Sequence, residues 1–141
     1  MSFLSFYLVK TINHTLRAKI LFYIAILYSI AILVLSLIRL QNVDIIKIES
    51  SDKIYHTACY AIMMIIWSIF LKFRLKNQSV KKYLILAMSI ISYGIVIEYL
   101  QLTLTNYREF DWWDVLANSI GVISAFGALK FYEILFNNKK V

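Results

Sequence analysis

The run from Ile20 to Ile38 carries no charged residue and lies between Arg17/Lys19 and Arg39. A helix over it rises about 28 Å at about 1.5 Å per residue, close to the roughly 30 Å hydrocarbon core of a bilayer. Three more apolar runs follow, over about 54–71, 83–104 and 114–136, each bounded by basic or acidic residues. An unsatisfied backbone group costs several kcal/mol in lipid, so isolated runs of this length must be helices. The apolar share is 61% and there is no proline, whereas soluble domains hold roughly 45–50% apolar residues. The expected fold is therefore all-α, an integral membrane four-helix bundle. No linker, repeat or low-complexity tract divides it, so residues 1–141 form one unit.

The net charge of +7 would suit nucleic acid if it formed a patch, but the basic residues gather in loops at alternate ends of the runs. Membrane orientation and anionic lipid account for that distribution, and no nucleic-acid partner is expected. One side of the membrane collects Lys10, Arg17, Lys19, Lys72, Arg74, Lys76, Lys81, Lys82, Lys139 and Lys140; the other holds Arg39, Lys47, Lys53 and Arg108. Ten against four places both termini in the cytoplasm. Lys130 remains, two turns from the inner end of the fourth span, with Glu133 spaced to pair with it. Before the first span, Leu4, Leu8, Ile12 and Leu16 share one helical face, and Lys10, Asn13 and Arg17 another. Residues 1–18 are thus expected to be a short amphipathic helix at the inner surface rather than a cleaved signal peptide. Cys59 is the only cysteine, which excludes an internal disulfide and a cysteine metal cluster and leaves a packing role.

Ionisable groups at membrane depth are costly and need a reason. With this topology they gather on the outer side. Asp52 and His56 are spaced i, i+4 at the start of the second span, and Tyr60 continues their face. Glu98 and Gln101 are spaced i, i+3 near the end of the third, with Gly94 before them on the same stripe. Asp111, Asp114 and Asn118 are spaced i, i+3, i+7 at the start of the fourth. Residues three, four and seven apart share a helix face, so three helices each present a polar stripe. His56, Glu98 and Asn118 lie roughly 6–9 Å below the helix ends at about 1.5 Å per residue, deep enough to require partners. A recess between the second, third and fourth helices, open to the outer leaflet, would supply them. Glu98 interrupts an apolar helix, and Arg108 or Lys53 is its expected counter-ion.

Each residue has a plainer role to weigh against this. Asp111 and Asp114 suit a helix N-cap and first turn, and Asp52 after Ser50 and Ser51 does too. His56 alone more often packs than reacts. Gln101 and Asn118 suit interhelical hydrogen bonds, and Trp112 and Trp113 suit interfacial anchors. Ala117, Gly121 and Ala125 recur every four residues, a small-residue stripe that admits a neighbouring helix.

Taken together, Asp52-Lys53-x-x-His56-x-x-x-Tyr60, Glu98-x-x-Gln101 and Arg108-x-x-Asp111-x-x-Asp114-x-x-x-Asn118-x-x-Gly121 resemble the VanZ-like family of small bacterial membrane proteins, over residues 52–121. Many members carry a glycine four residues after the last motif glycine; here it is Ala125. The resemblance implies a multi-pass protein of the bacterial plasma membrane. The family's namesake is associated with low-level resistance to teicoplanin, which acts at the outer leaflet, and this agrees with a site facing the extracytoplasmic side.

Two functions compete. The first is a module that binds a lipid headgroup, cell-wall precursor or glycopeptide-type ligand through Asp52, Lys53, Tyr60, Gln101, Arg108, Asp111 and Asn118. The second is an intramembrane enzyme acting on such a headgroup or lipid-linked precursor. Glu98 or His56 would then serve as general acid/base, Asp111 and Asp114 would orient them or hold a divalent cation, and Arg108 and Lys53 would meet substrate phosphate. Carboxylates plus one histidine are compatible with a divalent cation but do not require one, since no spacing is diagnostic of metal. Proton or ion translocation ranks last, because the inner halves of the last three spans offer no polar path.

Overall fold

The computed structural model describes residues 3–38, 49–75, 79–106 and 109–137, with side chains described from 14 in the first stretch, from 52 in the second and to 136 in the last. Four helices account for nearly all of them: α1 (Phe3–Leu37), α2 (Glu49–Arg74), α3 (Val80–Leu104) and α4 (Trp112–Asn137). Each contains a stretch long and apolar enough to cross a membrane: His14–Leu37, Asp52–Arg74, Val80–Leu104 and Trp112–Phe136. The expected all-helical bundle with four membrane-length helices is what is found. Arg39, Lys47, Lys76, Arg108, Lys139 and Lys140, and the side chains of Leu4, Leu8, Lys10 and Ile12, lie outside the described residues.

α1 runs from Phe3 to Leu37 without interruption, so the amphipathic stretch read over residues 1–18 is continuous with the first span. No glycine or proline stands between Phe3 and Leu37 to break the backbone ladder, so the helix continues through the change from amphipathic to uniformly apolar sequence. At about 1.5 Å per residue it is about 52 Å long, well beyond the roughly 30 Å core.

The helices alternate in direction. Tyr28 of α1 donates to the Cys59 carbonyl of α2 at 3.1 Å, and His14 lies 5.5 Å from Phe73 between ring centres, so α1 and α2 are antiparallel. Tyr93 of α3 donates to the Ser29 carbonyl of α1 at 2.6 Å, and Trp67 of α2 donates to the Ser29 hydroxyl at 3.2 Å. Ser29 thus joins three helices at mid-depth. α2 is the central helix: its most extensive interface is with α4, it also packs on α1 and α3, and α1 does not meet α4 among the described residues. Tyr60, Met63, Met64, Ala87, Ile90, Val122 and Ala125 form the buried core. Large apolar side chains such as Leu27, Ile54, Met88 and Ile123 face outward, as lipid rather than water requires.

α2 and α4 run parallel and in close contact along the small-residue stripe read from the sequence. Ala117, Gly121 and Ala125 are all buried, and Thr57 donates from its hydroxyl to the Ala117 carbonyl at 3.1 Å. A Cβ on Gly121 would collide with the backbone carbonyl oxygen of Thr57 and stand only 3.1 Å from the Ala61 nitrogen. Backbone cannot move aside as a side-chain tip can, so glycine is required there. At the other end of α4, Lys130 bonds Glu133 at 2.6 Å and sits 4.5 Å over the Tyr83 ring, which satisfies the basic residue left within the fourth span.

Gly121→Val should lower the melting temperature of the detergent-solubilised protein, corresponding to about 1–3 kcal/mol of overpacking. Gly127→Ala meets nothing within 4 Å and should be neutral or raise stability by up to about 1 kcal/mol. Equal melting temperatures for the two variants, followed by fluorescence-detected size exclusion after heating, would contradict this packing.

Candidate functional site

The site is assembled at the end of the bundle where α2 and α4 both begin. Asp111 immediately precedes α4, and its Oδ1 accepts the Trp113 backbone amide at 2.7 Å, while its carbonyl accepts those of Asp114 and Val115. It is the N-cap of α4, which satisfies amides that have no intrahelical partner. Its other oxygen, Oδ2, accepts from Lys53 Nζ at 2.5 Å. Lys53, in the first turns of α2, also donates to Oδ1 of Asp114. One ammonium group therefore bridges two carboxylates of α4. Their side chains differ sharply in exposure, 40% for Asp111 and 6% for Asp114.

One turn deeper, His56 Nδ1 lies 3.1 Å from Asn118 Oδ1. An amide oxygen can only accept, so this contact is a hydrogen bond in the tautomer whose Nδ1 carries the hydrogen. His56 Nε2 then faces two carboxylates, 3.5 Å from Asp114 Oδ2 and 3.9 Å from Asp52 Oδ1. Asp52 is half-exposed, at 53% of its side chain, and His56 is at 14%. The cluster thus grades from an open rim of Asp52, Lys53 and Asp111 to a buried floor of His56, Asp114 and Asn118.

α3 closes the site from the side. Glu98 and Gln101 are each 1% exposed, and a Cβ on Gly94 would come within 3.0 Å of the Tyr60 ring and 3.2 Å of Asn118 Nδ2. The absence of a side chain at Gly94 is what lets Tyr60 and Asn118 meet α3. Among the described residues the Tyr60 hydroxyl and Asn118 Nδ2 are buried without a hydrogen-bond partner. These atoms, with the Glu98 carboxylate, mark the polar interior of the bundle at this end.

Of the residues singled out from the sequence, Asp52, Lys53, His56, Asp111, Asp114 and Asn118 meet directly. Tyr60 and Glu98 belong to the adjoining buried layer. Gln101 turns elsewhere: its Nε2 donates to the Ser36 carbonyl at 2.9 Å. Ser36 lies in the last turn of α1, whose carbonyls have no intrahelical donors, so Gln101 ties α3 to the end of α1. Thr105 holds that turn of α3, with its hydroxyl on the Gln101 carbonyl at 2.6 Å. Lys53, one of the two expected counter-ions of Glu98, is committed to Asp111 and Asp114. Arg108, the other, lies outside the described residues. Thr57 and Ser36 were not anticipated; a threonine and a backbone carbonyl carry no sequence signal that distinguishes them from packing.

Trp112 and Trp113, 72% and 68% exposed, stand beside Asp111 in the first turn of α4. Exposed tryptophans on a membrane helix prefer the water–hydrocarbon boundary.

Together these features define a small multi-pass helical membrane protein with a charged cluster at one end of its bundle. The family model described as VanZ/LLP1 matches residues 1–135, and the chain belongs to that family. No curated protein and no solved structure matches the chain.

Lys53→Met would leave Asp114 as a buried carboxylate without its ammonium partner. Breaking a fully buried pair costs about 3–5 kcal/mol; with Lys53 a third exposed, about 2 kcal/mol is expected. The double variant Lys53→Met/Asp114→Asn should recover most of that loss in a thermal-melt cycle, and additive losses would contradict the pairing. The Lys53 hydrogen bond also holds the Asp111 carboxyl below its ordinary value of 3.8. The stabilisation linked to Asp111 is therefore complete above that value and disappears as pH falls through the lower folded value. The melting temperature of Asp111→Asn should lack this acid dependence.

Proposed function

We propose that the cluster receives the polar headgroup of an amphiphile, a membrane lipid or lipid-linked cell-wall precursor, at the outer leaflet. The carrying observation is the position of Trp112 and Trp113 next to Asp111 and Asp114, which supports a headgroup depth for the acid–base cluster. The graded exposure supports this: Lys53, Asp52 and Asp111 stand where a headgroup arrives, and His56, Asp114 and Asn118 lie below. A phosphate would compete with Asp111 for the Lys53 ammonium, exchanging one charge-assisted hydrogen bond for another. The distribution of basic residues supports both termini in the cytoplasm of a bacterial plasma membrane, with the cluster outside. The excess length of α1 then falls at the cytoplasmic end, where its amphipathic first part suits the interface.

A second reading, an enzyme acting on that headgroup, is favoured by His56. Its Nδ1 is engaged by Asn118 and its Nε2 lies 3.5 Å from Asp114 Oδ2 and 3.9 Å from Asp52 Oδ1, a carboxylate-flanked imidazole of the kind that general acid/base chemistry uses.

Protein purified in mild detergent and incubated with bacterial polar lipid extract should retain about one phospholipid per chain by native mass spectrometry. Lys53→Gln, compared at a temperature where it remains folded, should lose at least tenfold of that retention. Headgroup turnover abolished by His56→Gln would favour the enzyme. Retention equal in wild type and Lys53→Gln, without product, would defeat both readings.

A further inference from the structure

We infer that Asp52, His56 and Asp114 form a site for a single divalent transition-metal cation, for which zinc is the natural probe. The three side chains each offer one donor atom, and these atoms all lie within 4.8 Å of one another. Two carboxylate oxygens and one imidazole nitrogen suit a borderline cation such as zinc better than magnesium or calcium, which prefer oxygen alone.

Charge and orientation carry the argument beyond proximity. Asp52, Asp111 and Asp114 bring three carboxylates to the cluster and Lys53 one ammonium group, so carboxylates are in excess around His56. With Nδ1 turned to Asn118, Nε2 faces carboxylate oxygens 3.5 and 3.9 Å away. A dication held between Nε2 and these oxygens would offset the excess of carboxylates. Asn118 then does what an outer-shell partner does for a ligating histidine, fixing tautomer and ring orientation. Lys53 does the same for Asp114: it takes Oδ1 and leaves Oδ2 toward His56.

The distances fit. Zinc at about 2.1 Å from each ligand in a tetrahedron separates donor atoms by about 3.4 Å. His56 and Asp114 already stand at 3.5 Å. The widest pair of donor atoms lies within 4.8 Å, so Asp52 must approach by up to about 1.4 Å to reach tetrahedral spacing, and it is the half-exposed member, free to change rotamer without disturbing the core. The fourth position faces the rim. Asp111 is not a ligand here, because its two oxygens are engaged by Trp113 and Lys53.

The site does not depend on the headgroup reading. Chelator-stripped protein in detergent, titrated with zinc chloride alone, should bind one equivalent by calorimetry and by elemental analysis after desalting. Asp52→Asn and His56→Gln should each weaken binding at least tenfold, while His14→Gln and Glu133→Gln, at the other end of the bundle, should not. Asp52→Asn alters a half-exposed side chain, so its folding is not at risk. No stoichiometric zinc on the wild type, or affinity unchanged by Asp52→Asn and His56→Gln, overturns the proposal.

Discussion

The structure depends on how closely α4 can approach α2. The Thr57 carbonyl occupies the space that any side chain at Gly121 would need, and the Thr57 hydroxyl fastens to the Ala117 carbonyl on the same face. Within a bilayer there is no hydrophobic force between helices, so close backbone contact and interhelical hydrogen bonds must supply the association. Because α2 and α4 are parallel, fixing that contact also fixes the register of their first turns. Lys53 then meets Asp111 and Asp114, and His56 meets Asn118, as consequences of one packing decision.

The price of so many polar groups at membrane depth is met locally. Asp111 serves twice, capping α4 with one oxygen and holding Lys53 with the other. Gln101 serves α1 as much as its own helix by satisfying the Ser36 carbonyl. Ser29 accepts from both Tyr93 and Trp67, so the mid-plane of the bundle is tied by hydrogen bonds and its ends by charge. The Asp114 carboxylate shows how site and scaffold share parts: one oxygen belongs to the helix–helix clamp and the other faces His56. A headgroup-binding or metal-binding role would draw on His56 and Asp114, whose contacts are set by the helix packing, a form of preorganisation that lowers the cost of binding.

Much of the site was legible as spacing. Asp52 with His56, and Asp111 with Asp114 and Asn118, are neighbours on a helix surface at any tertiary arrangement, and their position at the ends of apolar runs marked them as expensive. The small-residue stripe through Ala117, Gly121 and Ala125 was legible for the same reason. Partner choice was not. Lys53 was as good a counter-ion for Glu98 as for the aspartates until the parallel contact of α2 with α4 set it beside the latter. Gln101 shared a face with Glu98, yet its amide donor and its place one turn from the end of α3 sent it to the last turn of α1.

Sequence alone determined the four membrane-length helices, because lipid leaves the backbone no other way to satisfy its amides, and it determined which faces of α2, α3 and α4 bear polar groups. It did not determine that α1 continues unbroken through all 35 of its residues, since the apolar boundary does not mark where the helix begins. Only the tertiary structure decided that α2 lies at the centre and which carboxylate each cation meets. Those choices follow from ångström-scale fit between helices, such as the space Gly121 leaves for Thr57, and periodicity along one chain carries no measure of that fit.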